Sequence, residues 1–368
     1  MIVHKRTFRI PELMLQSGRK LRDVEIGYEA YGTLDAAGTN AILVTHYFSG
    51  NSHAAGRYRE ADPEPGYWDS IIGPGKPLDT DRFFVVSSDV LSNLNPKLDH
   101  VVTTGPASID PDTGRPYASQ FPIVQIGDFV EVQKRLCDSL GIKHLHAVAG
   151  PSMGALQAIE WAARFPDFVD RVIAVISGSL SADPFLISMV ETWRAVVEID
   201  PNFNGGEYYG QREPLDGLKE SLKLITLTAL HPQNMSRLFS TKGKSRWLDR
   251  EVDPATTLAN GFAIDRALEE MAIERASLAD ANSLIRLVKA VQLFDVRDRV
   301  SRMRAKFLFV PVSTDVMMFP EYAHRGAQDL KAAGLDVEVH VMESDGGHLD
   351  GLGQIWKAAD AIRRFLRS

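Results

Sequence analysis

Ser152 lies in a five-residue pattern that can present a catalytic nucleophile. The pattern, Gly150-Pro-Ser-Met-Gly154, directly follows an apolar run at residues 145–149 and precedes a helical pattern at residues 155–165. A Gly-x-Ser-x-Gly turn between a strand and a helix lifts the serine hydroxyl clear of the sheet, at a helix N-terminus. There the backbone N–H of Met153 can point at a developing oxyanion. The pattern predicts a nucleophilic Ser152, with Met153 as an oxyanion donor.

A serine nucleophile needs a base to take its proton, and the base needs a carboxylate to orient it. With this type of turn, the acid and then the histidine follow the serine along the chain. Asp315 follows the apolar run 307–311, and His348 lies in a glycine-containing loop after the run 337–341. We therefore predict that Ser152, Asp315 and His348 form a catalytic triad.

Other residues compete for these roles. Asp345 lies three residues before His348 in the same loop, where we expect it to shape that loop. His46 and His53 follow the first core strand, and we expect them to be structural hydrogen-bonding residues. They are seven residues apart with no carboxylate at metal-ligand spacing, so the sequence predicts no metal site. No phosphate-binding glycine motif opens a helix, so we expect no nucleotide cofactor.

The second oxyanion donor should lie in the loop after an early strand. The loop 45–50 follows the apolar run 41–45 and contains Tyr47, Phe48 and Ser49. The backbone N–H of Phe48 or of Ser49 can complete the oxyanion hole, and we assign the role to Phe48. Tyr47 and Ser49 are then expected beside the acyl group.

The elements that must position these residues alternate along the chain. Short apolar runs occupy residues 41–45, 83–87, 145–149, 172–176, 307–311 and 337–341, and helical patterns occupy 126–140 and 155–165. Continuous apolar runs of this length suit a parallel sheet that is covered on both faces. Their alternation with helices predicts an α/β fold with a doubly wound, mostly parallel sheet.

Residues 180–298 differ from this pattern because they contain helical patterns and no convincing strand. The helical patterns are 184–200, 215–230 and 276–294, and the stretches 201–206 and 242–245 are expected to be loops. We predict an α/β core formed by residues 1–179 and 299–368, interrupted by a helical lid. An insertion at this place is expected to cap a site at the carboxyl ends of the strands.

The composition excludes several classes of protein. The chain has 368 residues, 44% of them hydrophobic and 24% charged, with a net charge of −7 and one cysteine, Cys137. These values are typical of a globular protein, and the dispersed Lys and Arg residues give no signal for nucleic acid or an anionic membrane. No apolar stretch approaches the roughly 20 residues that span a bilayer. Without a secretion signal at its N-terminus, the protein is expected to be cytoplasmic.

Several blocks of sequence together resemble the homoserine O-acetyltransferase family. The blocks are residues 46–53, 66–69, 72–82, 104–108, 150–154, 200–206, 280–283 and 347–348. The resemblance implies an α/β-hydrolase fold with a helical lid and a homodimer formed through lid helices. It also implies a ping-pong reaction in which Ser152 takes an acetyl group and passes it on.

The chain departs from this family where the family binds homoserine. The acetyltransferases use an Arg and a Tyr on a lid helix that begins with Gly-Leu, and an Asp directly after the catalytic histidine. When Gly217-Leu218 is placed at the helix start, Leu222 and Ala229 occupy the Arg and Tyr positions, and Leu349 follows His348. Burial of a zwitterion without polar partners costs several kcal/mol. These three residues predict an alcohol pocket for an alkyl group.

The departures resemble an ester-hydrolase subgroup of the family, the alkyl-acetate esterases of the MekB type. We therefore predict a serine carboxylesterase that acts on small, short-acyl esters, with some acyl transfer to alcohols. The alternative is acetyl-CoA-dependent O-acetylation of homoserine, for which Arg194 or Lys223 would have to replace the missing polar contacts. A silent binding protein is disfavoured because the serine, acid and histidine all occur in order.

Overall fold

A mostly parallel sheet forms the centre of the molecule. The computed structural model describes residues 1–238, 256–258 and 262–368. Its strands are β1 (Arg6–Met14), β2 (Lys20–Tyr31), β3 (Ala41–Thr45), β4 (Ile72–Gly73), β5 (Leu78–Asp79), β6 (Phe84–Ser88), β7 (Leu145–Pro151), β8 (Arg171–Val175), β9 (Lys306–Val310) and β10 (Val337–Val339). Eight of these form one sheet in the order β1-β2-β6-β3-β7-β8-β9-β10. In this order, every pair of neighbouring strands from β6 to β10 is parallel. The pairings of β1 with β2 and of β2 with β6 are antiparallel.

Helices connect the parallel strands. They are α1 (Ile126–Ser139), α2 (Met153–Arg164), α3 (Pro184–Glu198), α4 (Leu215–Ala229), α5 (Pro232–Leu238), α6 (Ala263–Leu278), α7 (Ala281–Gln292), α8 (Pro320–Ala332), α9 (Asp350–Gly353) and α10 (Ala359–Arg367). None of the helices in the described ranges has the length and apolar character needed to span a bilayer.

Both faces of the sheet are buried, which explains the continuous apolar runs. On β3, Leu43 belongs to one hydrophobic cluster, and its neighbours Ile42 and Val44 belong to another. The first cluster includes side chains of α1 and α2, and the second includes side chains of α10. Because successive side chains of a strand point to opposite faces, a strand covered by helices on both sides must be apolar at every position.

All six predicted strands are present, with bounds that differ by no more than two residues. Two antiparallel strands were not predicted, β1 at the edge of the sheet and β2 between β1 and β6. In β1 only Ile10 and Leu13 are buried, and exposed polar side chains interrupt the apolar pattern. An edge strand with one solvated face does not form the continuous apolar run that marks a central strand.

The segment 180–298 contains the helices α3 to α7. The prediction of one helix over residues 276–294 is wrong, because α6 ends at Leu278 and α7 begins at Ala281. Ala279 is extended, and the Asp280 carboxylate accepts a hydrogen bond of 2.8 Å from the backbone N–H of Ser283. This N-cap starts a new helix.

The two stretches expected to be loops have different outcomes. Residues Pro201–Gly206 begin with a 3₁₀ turn, in which the Asp200 side chain accepts a hydrogen bond from the N–H of Asn202, but Asn204 and Gly205 have φ angles of 47° and 61° and are not helical. The stretch 242–245 lies outside the described residues.

Asp280 should make a large contribution to stability. Its buried carboxylate caps α7 and also accepts hydrogen bonds from the hydroxyls of Tyr208 (2.6 Å) and Tyr209 (2.9 Å). Loss of a cap together with loss of the acceptor for two buried hydroxyls costs about 3 kcal/mol. Asp280→Ala should therefore move the urea unfolding midpoint, followed by tryptophan fluorescence, to a clearly lower concentration. Asp298→Ala, at a side chain that is 83% exposed, is the matched control and should leave the midpoint unchanged. Equal midpoints for the two variants would contradict this role.

Candidate active site

Ser152 occupies a strained turn between β7 and α2. Its backbone dihedral angles are φ 57° and ψ −122°, which a residue with a side chain rarely adopts. The N–H of Ser152 donates a 2.9 Å hydrogen bond to the carbonyl of Val175, at the end of the neighbouring strand β8. The turn is thereby anchored to the sheet, with the serine at the N-terminus of α2.

The two glycines of the pattern are required by the close approach of Thr45, the last residue of β3. A Cβ atom on Gly150 would lie 2.2 Å from the Thr45 hydroxyl, and one on Gly154 would lie 2.2 Å from the Thr45 carbonyl oxygen. The Thr45 hydroxyl also donates a 2.8 Å hydrogen bond to the carbonyl of Gly154. Any larger residue at either position would push β3 away from the turn.

Ser152, His348 and Asp315 form one hydrogen-bonded chain. His348 Nε2 lies 2.8 Å from Ser152 Oγ, and His348 Nδ1 lies 2.7 Å from Asp315 Oδ2. A carboxylate can only accept, so Nδ1 carries the proton and Nε2 is free to accept from the serine hydroxyl. All three side chains are buried. The structure thus brings together the three residues that the sequence predicted, in the geometry of a nucleophile, a base and an orienting acid.

Local contacts hold the acid and the base in place. The second oxygen of Asp315, Oδ1, accepts hydrogen bonds of 2.9 Å from the backbone N–H groups of Met317 and Met318. His348 lies on a short 3₁₀ turn after β10, and the preceding Gly347 has φ +78°. His348 bonds to Asp315 and not to the alternative acid in its own loop, Asp345.

A cavity lies over Ser152, and the loop after β3 faces it. Phe48 and Met153, the predicted oxyanion donors, both line this cavity. The N–H of Phe48 has no acceptor among the described residues, and the N–H of Met153 lies in the first turn of α2, where no intrahelical acceptor exists. Both donors are therefore available to a substrate oxygen.

Buried side chains fix the shape of this loop. His46 Nδ1 donates to the Tyr47 carbonyl (2.7 Å), while Asn95 donates to the Ser49 carbonyl (2.9 Å). Burial lowers the pKa of His46, so the ring is neutral and carries its single proton on Nδ1. His53 bonds to Glu29 instead. Neither early histidine contacts Ser152, in agreement with their assignment as structural residues.

The cavity over Ser152 has a volume of about 380 Å³ and a mostly apolar lining. Four of the five predicted pocket residues line it, namely Tyr47, Ser49, Ala229 and Leu349. The remaining lining residues are Asn95, Leu98, Ile176, Val190, Trp193, Ile225, Thr226, Met271, Arg275, Leu278, Val291, Met317, Met318 and Leu352, together with the residues already described. Helices α3, α4, α6 and α7 supply much of this lining.

Leu222, the fifth predicted pocket residue, lies outside the cavity. It is fully buried in the hydrophobic core, whereas Ile225, Thr226 and Ala229 of the same helix line the cavity. Leu222 precedes Ala229 by two helical turns, or about 10 Å along the axis, which carries it past the edge of the cavity. The alignment that placed Gly217-Leu218 at the helix start therefore identified the face of α4 that is turned towards the cavity. It was wrong in placing Leu222, which lies beyond the edge of the cavity, among the lining residues.

Arg275 on α6 is a lining residue that sequence reasoning missed. It is the one Lys or Arg side chain among the lining residues of the described chain. The sequence analysis considered Arg194 and Lys223 as cations for the substrate pocket, but both form ion pairs elsewhere. Arg194 pairs with Glu191 and Glu198, and Lys223 pairs with glutamates on α4 and α6. The spacing of Met271, Arg275 and Leu278 on one helical face could have indicated Arg275, had α6 been predicted.

In the part of the chain that the structure describes, no group of three or more His, Cys, Asp or Glu side chains is arranged to hold a metal ion.

Comparison with known proteins identifies the family. A family model for the alpha/beta hydrolase fold matches residues 65–352. Homoserine O-acetyltransferase of Symbiobacterium thermophilum is 40% identical, over 96% of this chain and 92% of that protein. The solved structure of esterase E22 is 44% identical and superposes with a TM-score of 0.94, covering 99% of this chain and all of that one. Homoserine O-acetyltransferase from Bacillus anthracis is 33% identical, with a TM-score of 0.93 and coverage of 100% and 98%.

These matches confirm the predicted fold and the predicted resemblance. They extend over nearly the whole chain, including the helices that line the cavity. This chain therefore belongs to the α/β-hydrolase family, as an enzyme of the group that contains the homoserine O-acetyltransferases.

Proposed function

We propose that this protein is a serine carboxylesterase that hydrolyses short-acyl, acetate-type esters of small alcohols through an acyl-Ser152 intermediate. The observation that carries the proposal is the hydrogen-bonded chain of Ser152, His348 and Asp315 beside a mostly apolar cavity. A related protein of similar structure, 44% identical, is named an esterase.

The geometry supports the following reaction. Ser152 Oγ attacks the ester carbonyl while His348 Nε2 takes its proton, and Asp315 stabilises the resulting imidazolium. The N–H groups of Phe48 and Met153 stabilise the oxyanion of the tetrahedral intermediate. The intermediate collapses, His348 protonates the leaving alcohol, and the acyl group stays on Ser152. A water molecule, deprotonated by His348, then attacks the acyl-enzyme and releases the carboxylic acid.

The lining of the cavity favours an alkyl group over a zwitterionic amino acid. Ala229 and Leu349 occupy positions at which the acetyltransferases place polar contacts, and no Asp or Glu lines the cavity in the described chain. An ammonium group buried here would lose its hydration without gaining a carboxylate partner. A small alcohol can also enter such a cavity, so transfer of the acyl group to an alcohol is expected as a side reaction.

Acetyl-CoA-dependent O-acetylation of homoserine is the second candidate function. The names of the curated relatives favour it, since proteins 35–40% identical to this chain are named homoserine O-acetyltransferase. The same triad would carry the acetyl group, and Arg275 is the cation of the described lining that could receive the homoserine carboxylate. The two candidates differ in the acyl donor and the acceptor, and a direct assay separates them.

The purified protein should release acetic acid from ethyl acetate, followed by titration at constant pH. It should release no homoserine-dependent thiol from acetyl-CoA, because the cavity lacks a partner for the ammonium group. The Ser152→Ala variant, which should fold normally, is the blank for both measurements. Thiol release that depends on L-homoserine and on Ser152 would overturn the esterase proposal in favour of the acetyltransferase.

Substitution of Asp315 and substitution of Asp345 should have different effects on turnover. Asp315→Asn leaves an acceptor for the N–H groups of Met317 and Met318 but no longer holds His348 in the required tautomer. Its kcat for ethyl acetate should fall by about 10⁴-fold, as expected for loss of the triad acid. Asp345→Asn is the matched control and should stay within about threefold of the parent protein. A similar loss in both variants would show that the acid has been misassigned.

Leu349 should contribute to the binding of an uncharged alkyl ester. It lines the cavity that contains Ser152, and an Asp at this position would replace an apolar contact by a hydrated carboxylate. Leu349→Asp should therefore raise the KM for ethyl acetate about tenfold, measured by titration at constant pH. Leu349→Met keeps an apolar side chain of similar volume, and its KM should stay within about threefold of that of the parent protein. Equal KM values for the two variants would mean that position 349 does not contact the ester.

A further inference from the structure

Arg275 has an unusual environment for an arginine inside this protein. It is partly buried and lines the cavity that contains Ser152. Its one side-chain hydrogen bond within the described chain runs from Nη1 to the hydroxyl of Thr226, at 2.7 Å. No carboxylate of the described residues forms an ion pair with it.

Two other arginines of the described chain that are wholly or partly buried form more contacts within the protein than Arg275 does, although the Nε–H of Arg286 has no partner there. Arg299 forms a two-pronged ion pair with Glu160, at 2.7 and 2.9 Å. Arg286 donates to the Asn282 side chain and to three backbone carbonyls, those of Ala118, Ser119 and Phe121. These arginines hold structural elements together. Arg275 has five N–H donors and uses one, so most of its hydrogen-bonding capacity remains available to a ligand in the cavity.

A partly buried guanidinium group that has no carboxylate partner among the described residues carries a desolvation cost. Burial lowers the pKa of Arg275, but a guanidinium group stays charged in proteins. An aliphatic side chain at this position would extend the apolar lining formed by its helix neighbours Met271 and Leu278. A guanidinium group is suited instead to bind a carboxylate through two parallel N–H···O hydrogen bonds.

We propose that Arg275 binds a carboxylate group of the substrate, so that the preferred substrates are esters bearing one free carboxylate and no ammonium group. The inference deepens the proposed function and rests on ester hydrolysis at Ser152. Two kinds of ester have this chemistry: an O-acyl hydroxy acid, with the carboxylate on the alcohol, and a monoester of a dicarboxylic acid, with the carboxylate on the acyl group. A zwitterion is disfavoured because no Asp or Glu lines the cavity in the described ranges.

Isosteric substrate pairs test the proposal and distinguish the two kinds of ester. The first pair is 4-acetoxybutanoate and 4-acetoxybutanamide, and the second is monoethyl succinate and its terminal amide. Within each pair only the charge differs. The parent protein should hydrolyse the carboxylate member of at least one pair with a kcat/KM about tenfold above that of the amide, and the pair that shows the preference identifies the side of the ester that faces Arg275.

Three variants assign the preference to the guanidinium group. Arg275→Met keeps the length of the side chain without its charge, and should remove the preference, so that the kcat/KM values within each pair become equal. Arg275→Lys keeps the charge without the two-pronged geometry and should retain part of the preference. Arg194→Met removes an arginine that is ion-paired on α3 away from the cavity, and should retain all of it. Melting temperatures establish that each variant is folded.

The outcomes separate this inference from the proposed function. Equal kcat/KM values within both pairs, or a preference that persists in Arg275→Met, would overturn the carboxylate site while ethyl acetate is still hydrolysed. If ethyl acetate is not hydrolysed, the proposed function fails. The carboxylate site is then tested by calorimetric titration of the Ser152→Ala variant with 4-acetoxybutanoate and with monoethyl succinate. Binding that is lost when Arg275→Met is added supports the site, and absence of binding of both probes overturns it.

Discussion

The contact between Thr45 and the turn at Ser152 determines the geometry of the site. Thr45 ends β3, and its backbone and hydroxyl press against Gly150 and Gly154, where a single added carbon would overlap them. The turn therefore reaches its strained conformation directly beside β3. Since the chain continues from Thr45 into the loop that contains Phe48, the same contact also fixes the separation between the oxyanion loop and the serine. Two parts of the site, more than 100 residues apart in sequence, depend on this one close approach.

The parallel sheet gathers the remaining parts of the site at one edge. The oxyanion loop, the serine, the acid and the histidine follow the carboxyl ends of β3, β7, β9 and β10, respectively. These ends lie on the same side of the sheet because the strands are parallel. The burial of both faces makes the strands rigid supports, while the loops beyond them carry the polar groups. Hydrogen bonds within these loops, such as those from Met317 and Met318 to Asp315, then orient each side chain.

The helices of residues 184–292 decide what the site can accept. The triad geometry serves both an esterase and an acetyltransferase, since each forms an acyl-serine. The acceptor depends on the cavity wall, which combines an apolar surface with the guanidinium group of Arg275. The names of the relatives are divided in the same way, between homoserine O-acetyltransferase and esterase. The triad residues follow strands of the sheet, and much of the cavity wall comes from these helices.

The sequence alone determined the features that depend on local pattern and chain order. The Gly-x-Ser-x-Gly turn, the order of serine, acid and histidine, and the six buried strands were all recognisable because each leaves a short signal in consecutive residues. The antiparallel strands β1 and β2 were not, because exposed polar side chains interrupt their apolar pattern. The break between α6 and α7 was also missed. Asp280 caps α7 through the N–H of Ser283, and its carboxylate is held by the hydroxyls of Tyr208 and Tyr209, some 70 residues earlier.

Only the tertiary structure decided which side chains reach the cavity. Leu222 and Ala229 share a face of α4, yet Leu222 lies in the core and Ala229 lines the cavity. Arg275 was missed because α6 was not predicted, while Arg194 and Lys223, the cations considered in the sequence, proved to be engaged in ion pairs. A helical pattern specifies which face is buried but not what it is buried against. That choice depends on the position and rotation of each helix over the sheet, which only the packing of the whole molecule sets.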